Sequence, residues 1–360
     1  MKPELLAQVS FSTWTADNLR QTSCKGLRED KPASKVVREM PRNASSAAAT
    51  AGLNHKQAAR KSTLKRAESQ ILPAKIPVRL THPDKIIDAE SGVTKEQLAL
   101  YYKEVAPHML PYVADRPLTL VRCVDGSGNP CFYQRHTNKM FAGGFKTVAV
   151  RNKKTGVDDP YITLDSEDAI VQLAQVGVLE VHPWGSRNQT LEQPDRIVID
   201  LDPDPAIEWH SLTESAKEVR KRLNALGLNS WVKTTGGKGL HVVFPVRPEH
   251  AWPAVKQWTR EFVDAMARDF PMRFLTKMSK AARVGKIFLD YLRNDRNATS
   301  VAPFSPRARA SLPVAIPLSW TELDSDQPPR FQVVSFADWK MRLTHDPWKD
   351  MEGTNQRLPL

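Results

Sequence analysis

The chain has 360 residues, 52 Lys and Arg against 40 Asp and Glu, and a formal net charge of +12. That length suits one large domain or two smaller ones, and an apolar content of 41% with 9 Trp is enough for a real core. Cys24, Cys123 and Cys131 show no CxxC spacing, which argues against a structural zinc or a disulfide framework and fits a reducing compartment. No apolar run is long enough to span a bilayer and the N-terminus MKPELLAQVSF has no apolar leader, so the expectation is a soluble, cytoplasmic chain with no membrane partner.

Positive charge is concentrated early: residues 1–75 hold 14 Lys/Arg and 6 Asp/Glu, a surplus of 8. Such a surplus biases a protein toward polyanions, because each cation set against a phosphate releases condensed counterions. Within residues 1–40 the alternating run Val9–Thr15 predicts a strand. Residues 41–75 are rich in Ala, Ser, Thr and Lys with few large apolar side chains, and read as a basic, disordered linker. Residues 76–348 have the composition of a folded domain, and 349–360 form a C-terminal tail.

Inside that domain Thr94-x-x-Gln97 is a capping box that opens an amphipathic helix through Leu98, Tyr101, Tyr102 and Val105. Ser211-x-x-Glu214 predicts a second helix with Leu212, Ala216, Val219 and Leu223 on one side and Gly227 as its stop. Short β-rich runs lie at 196–201, 231–234, 240–246 and 286–292. Helices interleaved with hairpin-like strands predict an α/β or α+β core.

Chemistry concentrates in four places. In Ile197-Val198-Ile199-Asp200-Leu201-Asp202-Pro203, period two puts Asp200 and Asp202 on one face of a strand. Paired carboxylates repel unless a cation lies between them, and hard Mg²⁺ or Mn²⁺ ions take such oxygen donors. Asp290, in the apolar run Ile287–Tyr291, supplies the third acid that two ions would need. Thr234–His241 is a glycine turn between strands whose backbone N–H groups, with Lys238 and the Thr235 hydroxyl, could approach an anion; His241 reads as an ordinary strand histidine. Arg293, Arg307 and Arg309 suit a bidentate grip on a triphosphate. His182 and Trp184 stand before a Gly-Ser loop, where packing is the simpler role.

Taken in order, LTHPDK, FYQRH, VHPWGSR, PDRIVIDLDPD, TTGGKGLHV, FLDYLRN and VAPFSPRAR resemble the polymerase domain of bacterial DNA ligase D, within the archaeo-eukaryotic primase superfamily. The resemblance implies a primase-like fold with an RRM-like catalytic sheet. It also implies a DNA repair polymerase of non-homologous end joining that adds ribo- or deoxyribonucleotides to primer 3′-ends by a two-metal mechanism. Asp200, Asp202 and Asp290 would ligate two Mn²⁺ or Mg²⁺ ions. His182, Thr235, Lys238, Arg293, Arg307 and Arg309 would hold the NTP or dNTP. Lys85 and Lys95 would grip the 5′-phosphate across a gap, and Phe132 and Tyr133 would stack on template DNA. The implied partners are double-stranded DNA ends and gaps and a Ku-type end-binding protein, with a nucleoid-associated location. Departures are mild: Thr235 stands for a usual Ser, Tyr133 for Phe, Arg135 for Lys and Phe304 for Tyr.

Residues Phe11–Arg20 and Gly26–Lys31 resemble the end of the OB domain of an ATP-dependent DNA ligase, including Arg28 and Lys31 of its last motif. No Lys-x-Asp-Gly adenylation motif occurs, so no self-adenylation is expected, and the segment reads as the remnant of a ligase lying upstream. A non-catalytic end-bridging module and a ligase activity of the whole chain are the alternatives; intact Asp200, Asp202 and Asp290 weigh against the first.

Overall fold

The computed structural model describes residues 76–137, 141 and 144–360, with only the backbone at 280 and 281, and the backbone of four strands nearer the N-terminus. The chain divides into two units, Met1–Leu72 and Pro73–Leu360. In the first, β1 (Leu6–Ser10) pairs with β4 (Ser23–Arg28) and β2 (Thr13–Trp14) with β3 (Leu19–Arg20), all antiparallel. The strand expected over 9–15 thus falls on β1 and β2, with residues 11, 12 and 15 outside the described residues, as are Lys31 and the 41–75 linker.

In the second unit, β5 (Ile86–Asp88) and β6 (Val93–Thr94) form a small hairpin that runs into α1 (Lys95–Val113). The capping box is present: the Thr94 hydroxyl accepts from Gln97 N at 3.3 Å, and Gln97 Oε1 accepts from Thr94 N at 2.8 Å. Leu98, Tyr101, Tyr102 and Val105 are buried along α1, which packs on α2 (Glu167–Gln175). Beside them lies a three-stranded antiparallel sheet, in the order β11 (Val178–Pro183), β7 (Leu118–Arg122), β8 (Phe132–Gln134). The pair β9 (Lys146–Arg151) and β10 (Asp158–Thr163) is separate.

The main sheet has six strands in the order β15 (Phe274–Leu275), β16 (Ile287–Asp290), β12 (Arg196–Pro203), β14 (Leu240–Pro245), β13 (Trp231–Thr234), β17 (Pro317–Leu318). Only β15 and β16 run parallel. Six consecutive residues of β12, Arg196–Leu201, are buried, so the strand that carries the acids lies in the centre of the sheet. Helix α3 (Trp209–Ala225) packs on β12 and β14, and α4 (Trp252–Asp269) reaches β15. A short α5 (Phe336–Trp339) follows β17. Beyond Trp348, Met351 and Leu358 are also buried.

Two readings of the sequence are corrected. Helix α3 starts at Trp209, not at a Ser211 cap: its N-cap is Glu208, with no side-chain capping bond. The turn closed by Ile207 N donating to Asp204 O delivers the chain directly into the helix, and Gly227, at φ +76°, ends it as expected. The cysteines are corrected too, because Cys123 and Cys131 form a disulfide. Register explains it. Arg122 pairs with Phe132 at the end of the β7–β8 hairpin, so Cys123 and Cys131 are the next residues to face each other.

Candidate active site

Alternation along β12 places Asp200 and Asp202 on one face, and the antiparallel register sets Asp290 of β16 directly opposite Asp200. On the other flank His241 of β14 is opposite Asp200, and Lys233 of β13 opposite His241. Lys233, His241, Asp200 and Asp290 therefore form one buried polar row across four strands. Just past β16, Arg293 Nε lies 3.2 Å from Asp200 Oδ2 and 3.2 Å from Asp290 Oδ2. Arg283 Nη1 is 3.8 Å from Asp202 Oδ2.

The electrostatics separate the two acids of β12. Burial alone would raise the pKa of Asp200, but His241 and Arg293 outweigh it and hold the carboxyl at about 2. Asp202 is pushed up to about 6, by burial first and then by the neighbouring Asp200 charge. Asp290 is also raised, mainly by burial. His241 Nε2 is 3.4 Å from Asp200 Oδ1, a long contact, and Oδ1 is buried with no close hydrogen-bond partner. Burial and the Lys233 charge depress His241 to about 4, which makes it a neutral imidazole.

These three carboxylates offer only hard oxygen donors, and both the orphaned Oδ1 and the crowding at Asp202 favour an added cation. They fit a divalent ion chemically. Among the described residues, however, no group of three or more His, Cys, Asp or Glu is drawn together in a metal-holding arrangement. The Arg293 guanidinium stands between Asp200 and Asp290 instead.

The glycine turn joins β13 to β14. Thr235 Oγ1 donates to Gly239 O at 3.1 Å and accepts from Gly237 N at 3.2 Å, so its hydroxyl closes the turn rather than pointing freely outward. Two positions need glycine: Gly236 has φ +65°, and a Cβ on Gly239 would lie 2.5 Å from Leu201 O. The turn thus sits against the backbone of β12 beside the acids.

Arg307 connects the turn to β11. Its Nη1 donates to Thr235 O at 2.6 Å, and its Nε lies 3.1 Å from Glu180 Oε2. The same Glu180 oxygen is 2.7 Å from His182 Nε2, and Glu180 Oε1 accepts from Ala308 N at 2.8 Å. Burial would raise Glu180, but the hydrogen bond to His182 and the Arg307 charge bring it down to about 2. Burial lowers His182, so a neutral ring donates Nε2–H to Glu180 and keeps Nδ1 as an acceptor.

One cavity of about 450 Å³ is lined by Asp200 and Asp202, by His182, Thr235 and Lys238, by Arg293, Arg307 and Arg309, and by Tyr133 at its rim. Asp290 joins this group through Arg293. The remaining expected residues lie apart. Lys85 lines a separate hollow with His82 and Asp84, and Lys95 Nζ donates to Thr81 O at 2.9 Å. Phe132 lies under Arg122, whose guanidinium carbon is 5.3 Å from the ring centre, whereas Tyr133 is 75% exposed. Trp184 is buried with Tyr161 and Trp252, in the packing role.

Sequence reasoning missed Glu180, Arg283 and Lys233, and it discounted His241. Glu180 was discoverable: it precedes His182 by two on a strand and so shares its face. The other three depend on sheet register and a loop path that no local pattern reveals.

Comparisons with known proteins show the family to which the chain belongs. The family model described as "LigD, primase-polymerase domain" matches residues 94–348. A "Multifunctional non-homologous end joining protein LigD" from Pseudomonas aeruginosa is 36% identical over 99% of this chain and 41% of its own length. A "Bifunctional non-homologous end joining protein LigD" from Bacillus subtilis is 28% identical over 80% of this chain and 46% of its own. The chain therefore spans less than half the length of these curated relatives. The solved structure of the polymerase domain from Mycobacterium tuberculosis Ligase D in complex with DNA is similar in fold, with a TM-score of 0.71 and 27% identity, over 78% of this chain and 99% of that one. A match that takes in all three acids, the glycine turn and the arginines, and extends over most of the chain, makes this protein a member of the LigD primase-polymerase domain family.

Proposed function

We propose that the chain is a nucleotidyltransferase of double-strand-break repair, extending primer 3′-ends with ribo- or deoxyribonucleotides at gaps and broken ends. The observation that carries this reading is one cavity that brings two strand carboxylates together with four arginines and a lysine beside a glycine turn. A triphosphate suits the cationic side, and a reacting 3′-hydroxyl suits the acidic side. Asp200, Asp202 and Asp290 would hold Mn²⁺ or Mg²⁺, which when bound would polarise the α-phosphate and lower the pKa of the primer hydroxyl.

The chain's own groups have distinct roles in this reading. Lys238 and Arg309 meet the phosphates, and Arg307 does so while Glu180 fixes its direction. Neutral His182 offers Nδ1 to a nucleotide hydroxyl or amine. Tyr133, and less freely Phe132, stack on unpaired template bases. Lys85 and Lys95 receive the downstream 5′-phosphate. A Ku-type partner, a cytoplasmic, nucleoid-associated location and a ligase remnant in residues 1–40 belong to the same reading. Among the described residues, no helix is long and apolar enough to cross a membrane.

The test is incorporation of ATP and dATP, in Mg²⁺ and in Mn²⁺, on a gapped duplex with a 5′-phosphate. Wild-type protein extends the primer, and the double variant Asp200→Ala with Asp202→Ala does not. Equal extension by the two proteins would end the proposal.

A further inference from the structure

Asp88 ends β5 and is only 2% exposed. Its carboxylate accepts four hydrogen bonds. Oδ2 takes Ser91 N at 2.8 Å, the Ser91 hydroxyl, and Ser311 N at 3.1 Å, and Oδ1 takes the Ser127 hydroxyl. Burial opposes its charge, but the bonds from Ser127, Ser91 and Ser311 prevail and keep it ionised. A buried carboxylate satisfied in this way strongly resists losing any donor.

The donors come from three loops with different neighbours. Ser91 is in the β5–β6 turn that leads to Lys95. Ser127 is in the β7–β8 loop ahead of Phe132 and Tyr133, and its N–H also donates to Ile87 O at 2.7 Å. Ser311 follows Arg307 and Arg309, and its hydroxyl donates to Glu90 Oε1 at 3.1 Å.

At the near end, Lys85 stands three residues before Asp88, and its Nζ donates to Val124 O at 2.6 Å. Lys95 N donates to Lys85 O at 2.8 Å, which sets the two residues side by side, and the Lys95 ammonium is depressed by burial first and then by the charge of Lys85. An anion between them would relieve that repulsion. At the far end, Ser311 and Leu312 have φ of +64° and +43°. Non-glycine backbone in that region persists only where its surroundings hold it, and the Asp88–Ser311 bond is one such restraint. Leu312 N donating to Arg309 O at 3.0 Å then ties the strained segment to the arginine.

We propose that Asp88 is a positioning residue that couples an anion held by Lys85 and Lys95 to the arginines Arg307 and Arg309, through its bond to Ser311. This rests on the proposed function in taking those lysines as the 5′-phosphate grip. Displacement of β5 by a bound phosphate is passed to the arginine segment, because Asp88 belongs to β5 and its buried carboxylate accepts from Ser311 N. The coupling is reciprocal by linkage: nucleotide at the arginines tightens the grip on the phosphorylated end by the same factor.

The experiment measures ATP binding by calorimetry, in Mn²⁺, to the full chain on a gapped duplex with a dideoxy-terminated primer. The duplex is prepared with and without its 5′-phosphate. For wild type the phosphate tightens ATP binding by about fivefold, the low end of typical couplings. Asp88→Ala brings the ratio to near one. Asp88→Asn keeps the shape, weakens the bonds and gives an intermediate ratio, so it decides the matter if Asp88→Ala melts early. Ser127→Ala, which leaves the Asp88–Ser311 bond, keeps the wild-type ratio. A wild-type ratio of one, or an unchanged ratio in folded Asp88→Asn, overturns the proposal. Failure of the polymerase reading looks different, as absence of ATP binding on both duplexes.

Discussion

Asp200 and Asp290 face each other across antiparallel β12 and β16, and each has an oxygen 3.2 Å from Arg293 Nε. Two buried carboxylates at this spacing need positive charge, and the arginine supplies it. Arg293→Ala should therefore lower stability by about 2 kcal/mol, less than for a fully buried pair because its side chain is 41% exposed. Added Mn²⁺ should restore most of that loss. Thermal melts with and without MnCl₂ check it; a variant as stable as wild type in the absence of metal contradicts it.

The pH dependence follows from Glu180. Its folded-state pKa is about 2 against an ordinary 4.5, a depressed value. The resulting stabilisation is fully present above the ordinary value and is lost as pH falls from about 4.5 toward 2, by a few kcal/mol in order of magnitude. Glu180→Gln should flatten the acid limb of the stability curve in that window. It should also raise KM for ATP more than it lowers kcat, since Arg307 and His182 lose their common anchor. Urea midpoints between pH 2 and 7, with steady-state kinetics at neutral pH, test both parts.

Gly239→Ala should be poorly tolerated, because its Cβ would meet the Leu201 carbonyl at 2.5 Å. Overpacking of this kind costs about 1–3 kcal/mol and would push the turn away from β12. Gly128→Ala is the control, with nothing within 4 Å of its Cβ and no unusual backbone angle. Melting temperatures of the two variants should differ clearly, and ATP incorporation should fall only for Gly239→Ala.

Tyr133 is 75% exposed, so its loss should leave stability unchanged. If it stacks on template bases, Tyr133→Ala weakens binding of a gapped duplex by about 1–3 kcal/mol, whereas Tyr133→Phe stays near wild type. Fluorescence anisotropy at one fixed salt concentration reads this directly. Unchanged affinity in Tyr133→Ala would remove the stacking role.

Much of the site was legible because it is written in local pattern. Period two put Asp200 and Asp202 on one face, and a capping box marked the start of α1. The glycine run marked a turn that only small residues can make. What escaped depends on partners distant in sequence. His241 reads as an ordinary strand residue until β14 is laid beside β12. Lys233 lies one strand further on. The Cys123–Cys131 bond has no motif spacing and follows only from hairpin register. Asp88 looks like any turn acid, since its partners at 127 and 311 come from loops far along the chain.

The arginine between Asp200 and Asp290 also bears on how the protein survives scarcity. In small metal-built domains, stripping the ion undoes the fold. Here a residue of the chain already balances the central charges, so the architecture does not depend on an external supply. Chelation should silence such a protein without unfolding it, and returning the ion should revive it with no refolding delay. On the proposed function, a protein that idles until a chromosome breaks gains from being able to wait, intact, in a cell low in free metal.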